Sequence, residues 1–69
     1  MTDTKQFWVI ENTEEEMLAE GWGVSGTHTH IIGAALQRYN LMRDHSNIEV
    51  VLASGATEGE IKVMTRIKG

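Results

Sequence analysis

Apolar and polar positions follow two different periods along this chain, and the switches between them mark its elements. Phe7-Trp8-Val9-Ile10 is a short run of aromatic and β-branched residues and predicts a strand over roughly residues 5–11. Asn12 and Thr13 then offer helix N-caps, and Thr13-Glu14-Glu15-Glu16 has the form of a capping box, with acids suited to the positive end of a helix. Met17 and Leu18 are the only large apolar residues before Gly21, so this helix is about two turns long and needs tertiary support. From Thr29 the period becomes helical. Ile32, Ala35, Tyr39 and Met42 recur at spacings of three and four, widened by Ile31, Leu36 and Leu41. His30, Gly33, Gln37, Asn40 and Asp44 fall opposite, which predicts that the first set faces the core. Arg43 and His45 suit the negative end of that helix, and Asn47 suits its stop.

Beyond Asn47 the period drops to two. Residues 48–54 read as a strand with Ile48, Val50 and Leu52 on one side and Val51 and Ala53 on the other, which predicts a central position. Residues 55–59 are turn material. Residues 60–67 alternate, with Ile61, Val63, Thr65 and Ile67 expected inward and Glu60, Lys62, Met64 and Arg66 outward. The last two strands should pair as a hairpin. Between Gly21 and Thr29 lies either a short strand or an ordered loop. The order is therefore β-α-(β)-α-β-β: a small α+β domain over residues 1–69, with a mostly antiparallel sheet of three to four strands and one main helix across it.

Size narrows the possibilities. A chain of 69 residues forms one domain with a thin margin of stability, and such folds gain support from disulfides, a metal or self-association. There is no cysteine, which removes disulfides, thiolate metal sites and thiol chemistry. A homo-oligomer is the expected support. The 41% apolar share suits a folded chain, while no apolar run reaches the ~18 residues of a membrane span and the N-terminus does not read as a signal peptide. A cytoplasmic protein without membrane attachment is the expectation.

The net charge of −4 is unevenly spread. Residues 1–20 carry six acids against Lys5, whereas residues 21–69 carry four acids against five bases. No acid lies between Glu20 and Asp44. This is not the basic footprint of a duplex binder, so nucleic acid is not an expected partner. It suits contact between acidic and basic ends of subunits, or an acidic face turned to a basic protein, as well as ordinary solvated surface.

Candidate chemistry concentrates in residues 21–30, GWGVSGTHTH, which hold three of the seven glycines and two of the three histidines. Gly21-x-Gly23-x-x-Gly26 matches the dinucleotide fingerprint in form. That site needs a strand feeding the first glycine, and here a helical pattern precedes it. Backbone N–H groups around Gly26–Thr29, at the start of the second helix, could instead hold a phosphate or carboxylate. Gly26, Thr27, His28, Thr29 and His30 are thus the expected ligand-binding residues, with a small anionic ligand or a protein as partner. His28 and His30 would share one side of a strand and could begin a metal site. Asp44 and His45 lie at the other end of the helix, about 22 Å away, so one subunit cannot close it. No metal ligand, cofactor or catalytic residue is assigned: Ser25, Ser46 and Ser54 sit in no nucleophile elbow. Trp8 and Trp22 could stack on a ligand, but large core packing units are the commoner use.

Two resemblances bear on function. Phe7-x-Val9-Ile10, Gly26-Thr27-x-Thr29, Glu49-Val50-x-x-Ala53 and Ile61-Lys62-Val63 follow the order of motifs in the trp RNA-binding attenuation protein family. That resemblance implies a ring of β-subunits binding tryptophan between neighbours, with Thr27 and Thr29 in the ligand loop and Lys62 contacting RNA. Leu18-Ala19-Glu20-Gly21-Trp22 resembles the L-x-x-E-G-W signature of small bacterial domains of unknown function, where a helix ends and a strand begins. The function expected is a non-enzymatic binding or interaction module, regulatory and homo-oligomeric, holding a ligand or partner near residues 23–30. The alternatives are a ring-forming tryptophan and RNA binder, and a small enzyme whose site is shared between subunits.

Overall fold

The computed structural model describes residue 10 and residues 12–68. The strand expected over residues 5–11 lies outside the described residues except for Ile10, which is half-buried. The remaining elements follow in the expected order: α1 (Glu14–Ala19), β1 (Gly23–His28), α2 (Ile31–Asp44), β2 (Ile48–Ser54) and β3 (Ile61–Ile67). They form a small α+β fold, an antiparallel three-stranded sheet with α2 as its main helix.

Each boundary has a local cause. The Thr13 hydroxyl accepts from the Glu16 N–H at 3.2 Å, and the Glu16 carboxylate accepts from the Thr13 N–H at 2.9 Å, so the capping box is complete. Gly21, at φ +94°, ends α1. Its N–H donates to the Leu18 carbonyl and the Trp22 N–H reaches back to Met17, the two bonds of a Schellman motif. The hydrophobic contact that accompanies this motif is present too, since Met17 and Trp22 share one buried cluster. At the hairpin, Gly55 donates to the Glu60 carbonyl at 2.7 Å, and Gly59 takes the second positive φ, +83°. The Asn12 carbonyl accepts from the Ser54 N–H at 3.0 Å, bringing the start of α1 beside the end of β2.

The sheet carries a buried cluster on each face, and three expectations are revised. Ala34 of α2 packs with Val50 and Val63, flanked by Leu41, Ile48, Leu52 and Ile61. On the other face Met17 and Trp22 pack with Ala53 and Met64, next to Val51. Met64, expected outward, is therefore fully buried, because α1 and Trp22 cover the side to which it points. The middle strand is β3, with β1 and β2 on either side of it; the two apolar sides of β2 reflect the two layers of helix.

The third revision concerns α2. Its buried residue is Ala34, while Ile32, Leu36, Tyr39 and Met42 are exposed, so the helix is turned about half a revolution from the expected orientation. The side assigned to solvent contains Gln37, whose carboxamide is bonded to β1. The helix also begins at Ile31, after His30 as N-cap, two residues later than the period suggested.

Candidate functional site

Residues 21–30 fold as a turn, an edge strand and a helix entry. After Gly21 stops α1, β1 runs antiparallel to β3, with Gly23 opposite Thr65 and His28 opposite Ile61. The register slips between Val24 and Gly26, leaving Ser25 as the extra residue of a bulge. The bulge turns the Ser25 hydroxyl toward the Thr65 hydroxyl, 2.8 Å away.

Gly26 and Gly33 let α2 approach β1 closely. A Cβ on Gly26 would overlap the Gln37 carboxamide, and one on Gly33 would come within 3.1 Å of His28 Nδ1. In the space left by these glycines the Gln37 Nε2 donates to the Ser25 carbonyl at 3.0 Å, while its Oε1 lies 2.5 Å from His28 Nε2. With the Gln37 oxygen accepting, His28 Nε2 carries the proton of that bond. Gln37 thus holds the bulge and the end of β1 against the helix.

The five expected ligand residues divide in two. Gly26 makes room for Gln37, and His28 is half-buried and bonded to it. The Thr27 hydroxyl accepts from Lys62 Nζ at 2.9 Å, and the same ammonium lies 3.6 Å from Glu60. Those three residues are engaged within the fold. Thr29 and His30 are exposed, and the His30 side chain makes no capping bond. The unpaired N–H groups of the helix entry belong to Ile31–Gly33, because Ala34 is the first to donate back, to the His30 carbonyl. No acid occupies that first turn. Among the described residues no group of three His, Cys, Asp or Glu side chains could hold a metal ion.

Among the described residues, surface hollows lie elsewhere. One, of about 470 Å³, sits between Thr13, Glu14 and Leu18 of the α1 end and Ser54 and Ala56 of the hairpin. Another, of about 380 Å³, is bordered by Gly21, Ile48, Thr65, Arg66 and Ile67. Beside it the Arg66 guanidinium stacks 4.4 Å from the centre of the Trp22 ring and meets Glu49 at 3.3 Å. Neither hollow is lined by residues 26–30.

A different feature is the outward side of α2, which starts directly after His30. Ile32 is 78% exposed, Leu36 59%, Tyr39 60% and Met42 48%. Ile32, Leu36, Tyr39 and Arg43 follow one another at spacings of four, three and four, the seam spacing of helices that pack along their length. The sequence carries this spacing, but the spacing alone does not decide whether the sheet or another molecule covers that side. The Arg43 guanidinium lies 5.7 Å from the centre of the Tyr39 ring and 3.4 Å from Asp44. Among the described residues no helix is long and apolar enough to cross a membrane. No protein-family model, no curated protein and no solved structure matches the chain.

Proposed function

We propose that this protein is a non-enzymatic interaction module, a small cytoplasmic regulator that acts as a homo-oligomer through the exposed side of α2. One observation carries the reading: four large apolar side chains of a single helix are 48–78% exposed on the side turned from the sheet. Small proteins scatter exposed apolar residues singly, whereas a contiguous stripe marks a surface that another molecule covers. A helix apolar on two opposite sides belongs in the middle of a packed assembly, with the sheet on one side and a partner on the other. Thr29 and His30 adjoin the stripe at its N-terminal end, so a partner seated on α2 also meets the exposed part of residues 23–30.

The test is Leu36→Lys, on a side chain that points away from the sheet. The variant should keep the far-UV spectrum of the parent while losing the cross-linked species the parent forms in the cells that express it. A folded variant that retains every such species refutes the reading.

A further inference from the structure

We propose that the occupant of the α2 stripe is the α2 of a second copy, lying antiparallel across a two-fold axis between Gln37 and Arg38. This rests on the interaction reading above and specifies its partner. The first support is the composition of the seam. With Ile32, Leu36, Tyr39 and Arg43 along the centre line, the flanking positions are Gly33 and Asn40 on one side and Ala35 and Met42 on the other. All four are uncharged, and Ala35 is small enough to let two helix backbones come close, while Gly33 is turned toward His28. Identical surfaces meet in a two-fold dimer, so a seam of this kind opposes to itself no charge that repels.

Arg43 fixes the direction. In an antiparallel pair residue 36 meets residue 39 of the other copy, and residue 32 meets residue 43. The two Arg43 side chains then stand about 16 Å apart along the axis, beyond the ~10 Å over which salt screens exposed charges. A parallel pair would set them side by side and align both helix dipoles. Within its own chain Arg43 already lies against Tyr39 and Asp44, so its guanidinium can lie flat over Ile32 of the other copy. The acidic first turn of α1, Glu14–Glu16, packs on the opposite side of the sheet and stays clear of the contact.

Area sets the strength. The four exposed side chains present on the order of 500 Å² of apolar surface per copy. A dimer removes on the order of 1,000 Å², the low end for a specific interface, which predicts dissociation on the order of micromolar. A lipid surface is the other occupant suited to an apolar helix side, but membrane-seated helices are rich in lysine and arginine on their polar side. Arg38 and Arg43 are the only cations of α2, and the chain has a net charge of −4.

Disulfide trapping reads the geometry directly, because the chain has no cysteine of its own. Ile32→Cys and Arg43→Cys chains, mixed and mildly oxidised, should form a covalent heterodimer several-fold faster than either chain pairs with itself. Sedimentation of the parent should rise with concentration from 7.7 kDa toward twice that mass, and Leu36→Lys and Ile32→Ser should remain folded monomers. Faster self-pairing of Ile32→Cys overturns the antiparallel arrangement, and a folded Leu36→Lys that still dimerises overturns the place of the interface. A parent that stays monomeric to high micromolar concentration removes the second copy as occupant. If that monomer still loses its cellular cross-links on Leu36→Lys, or binds anionic phospholipid vesicles through the stripe, α2 remains an interaction surface but the homo-oligomer falls from the reading above.

Discussion

Replacing Gly26 by alanine places a methyl group where the Gln37 carboxamide lies. The strand must then move away from the helix, or the carboxamide must swing out and give up its bonds to His28 and the Ser25 carbonyl. Losing two such bonds costs about 1–3 kcal/mol at 0.5–1.5 kcal/mol each. Against that, the alanine reduces the freedom of the unfolded chain, which stabilises by about 0.4–1 kcal/mol where the native backbone tolerates a side chain. It is tolerated here, because the positive-φ glycines are Gly21 and Gly59, not Gly26. The net expectation is a loss of roughly 0.5–2 kcal/mol, a substantial share of the roughly 3–10 kcal/mol of a domain this size. Urea denaturation of the parent, Gly26→Ala, Gln37→Ala and the double variant closes a cycle. The two changes should couple, with Gly26→Ala costing much less once Gln37 is gone. A Gly26→Ala variant as stable as the parent, or two costs that simply add, refutes the account of Gln37 as the tie between β1 and α2.

Three further changes test separate parts of the fold. Ala34→Asp sets a carboxylate at a fully buried position between α2 and the sheet and should leave the chain unfolded by circular dichroism, whereas Ala35→Asp should fold. Gly21→Ala should cost about 1–2 kcal/mol in urea denaturation, because an L-residue resists the left-handed conformation that closes α1. Thr13→Ala should cost about 1 kcal/mol by the same measurement, since it removes one half of the capping box.

The chain announces its boundaries more clearly than its sides. The capping box at Thr13, the stop at Gly21 and the hairpin at residues 55–59 are each decided by two or three adjacent residues, and all three stand as read. Which way α2 faces depends on how two nearly equal apolar sides compete for the sheet. The bulkier side, Ile32, Leu36, Tyr39 and Met42, loses to Ala34, Gln37 and Leu41. Close approach to β1 requires small residues and a carboxamide that can bond Ser25 and His28, and an amphipathic count ranks such a side below the bulky one. The same limit explains Met64: alternation shows that Val63 and Met64 point in opposite directions, but only the placement of α1 and Trp22 shows that both directions are dry. For the candidate site, the sequence places residues 26–30 ahead of the second helix, and the structure has them at the end of β1 and the entry to α2. It could not show that Thr27 and His28 are engaged by Lys62 and Gln37, which lie 35 and 9 residues further along the chain.

Trp22 shows how such a core can carry a local cost. Its ring is buried against Met17, Ala53 and Met64, yet among the described residues the indole Nε1 has no hydrogen-bond partner. A buried donor left unpaired costs about 1–3 kcal/mol. The Arg66 guanidinium over the ring, itself partly exposed, offsets part of this by about 0.5–1 kcal/mol. Trp22→Phe removes the unpaired N–H and keeps an aromatic ring in the cluster, while it loses volume and weakens the stacking of Arg66. The opposing changes are of similar size, so Trp22→Phe should fall within about 1–2 kcal/mol of the parent in urea denaturation. Trp22→Ala discards the packing as well and should cost about 3–5 kcal/mol, enough to unfold much of the population. A Trp22→Phe variant as damaged as Trp22→Ala would mean that the indole N–H is bonded in the working protein, and that Trp22 contributes through that bond rather than through its bulk.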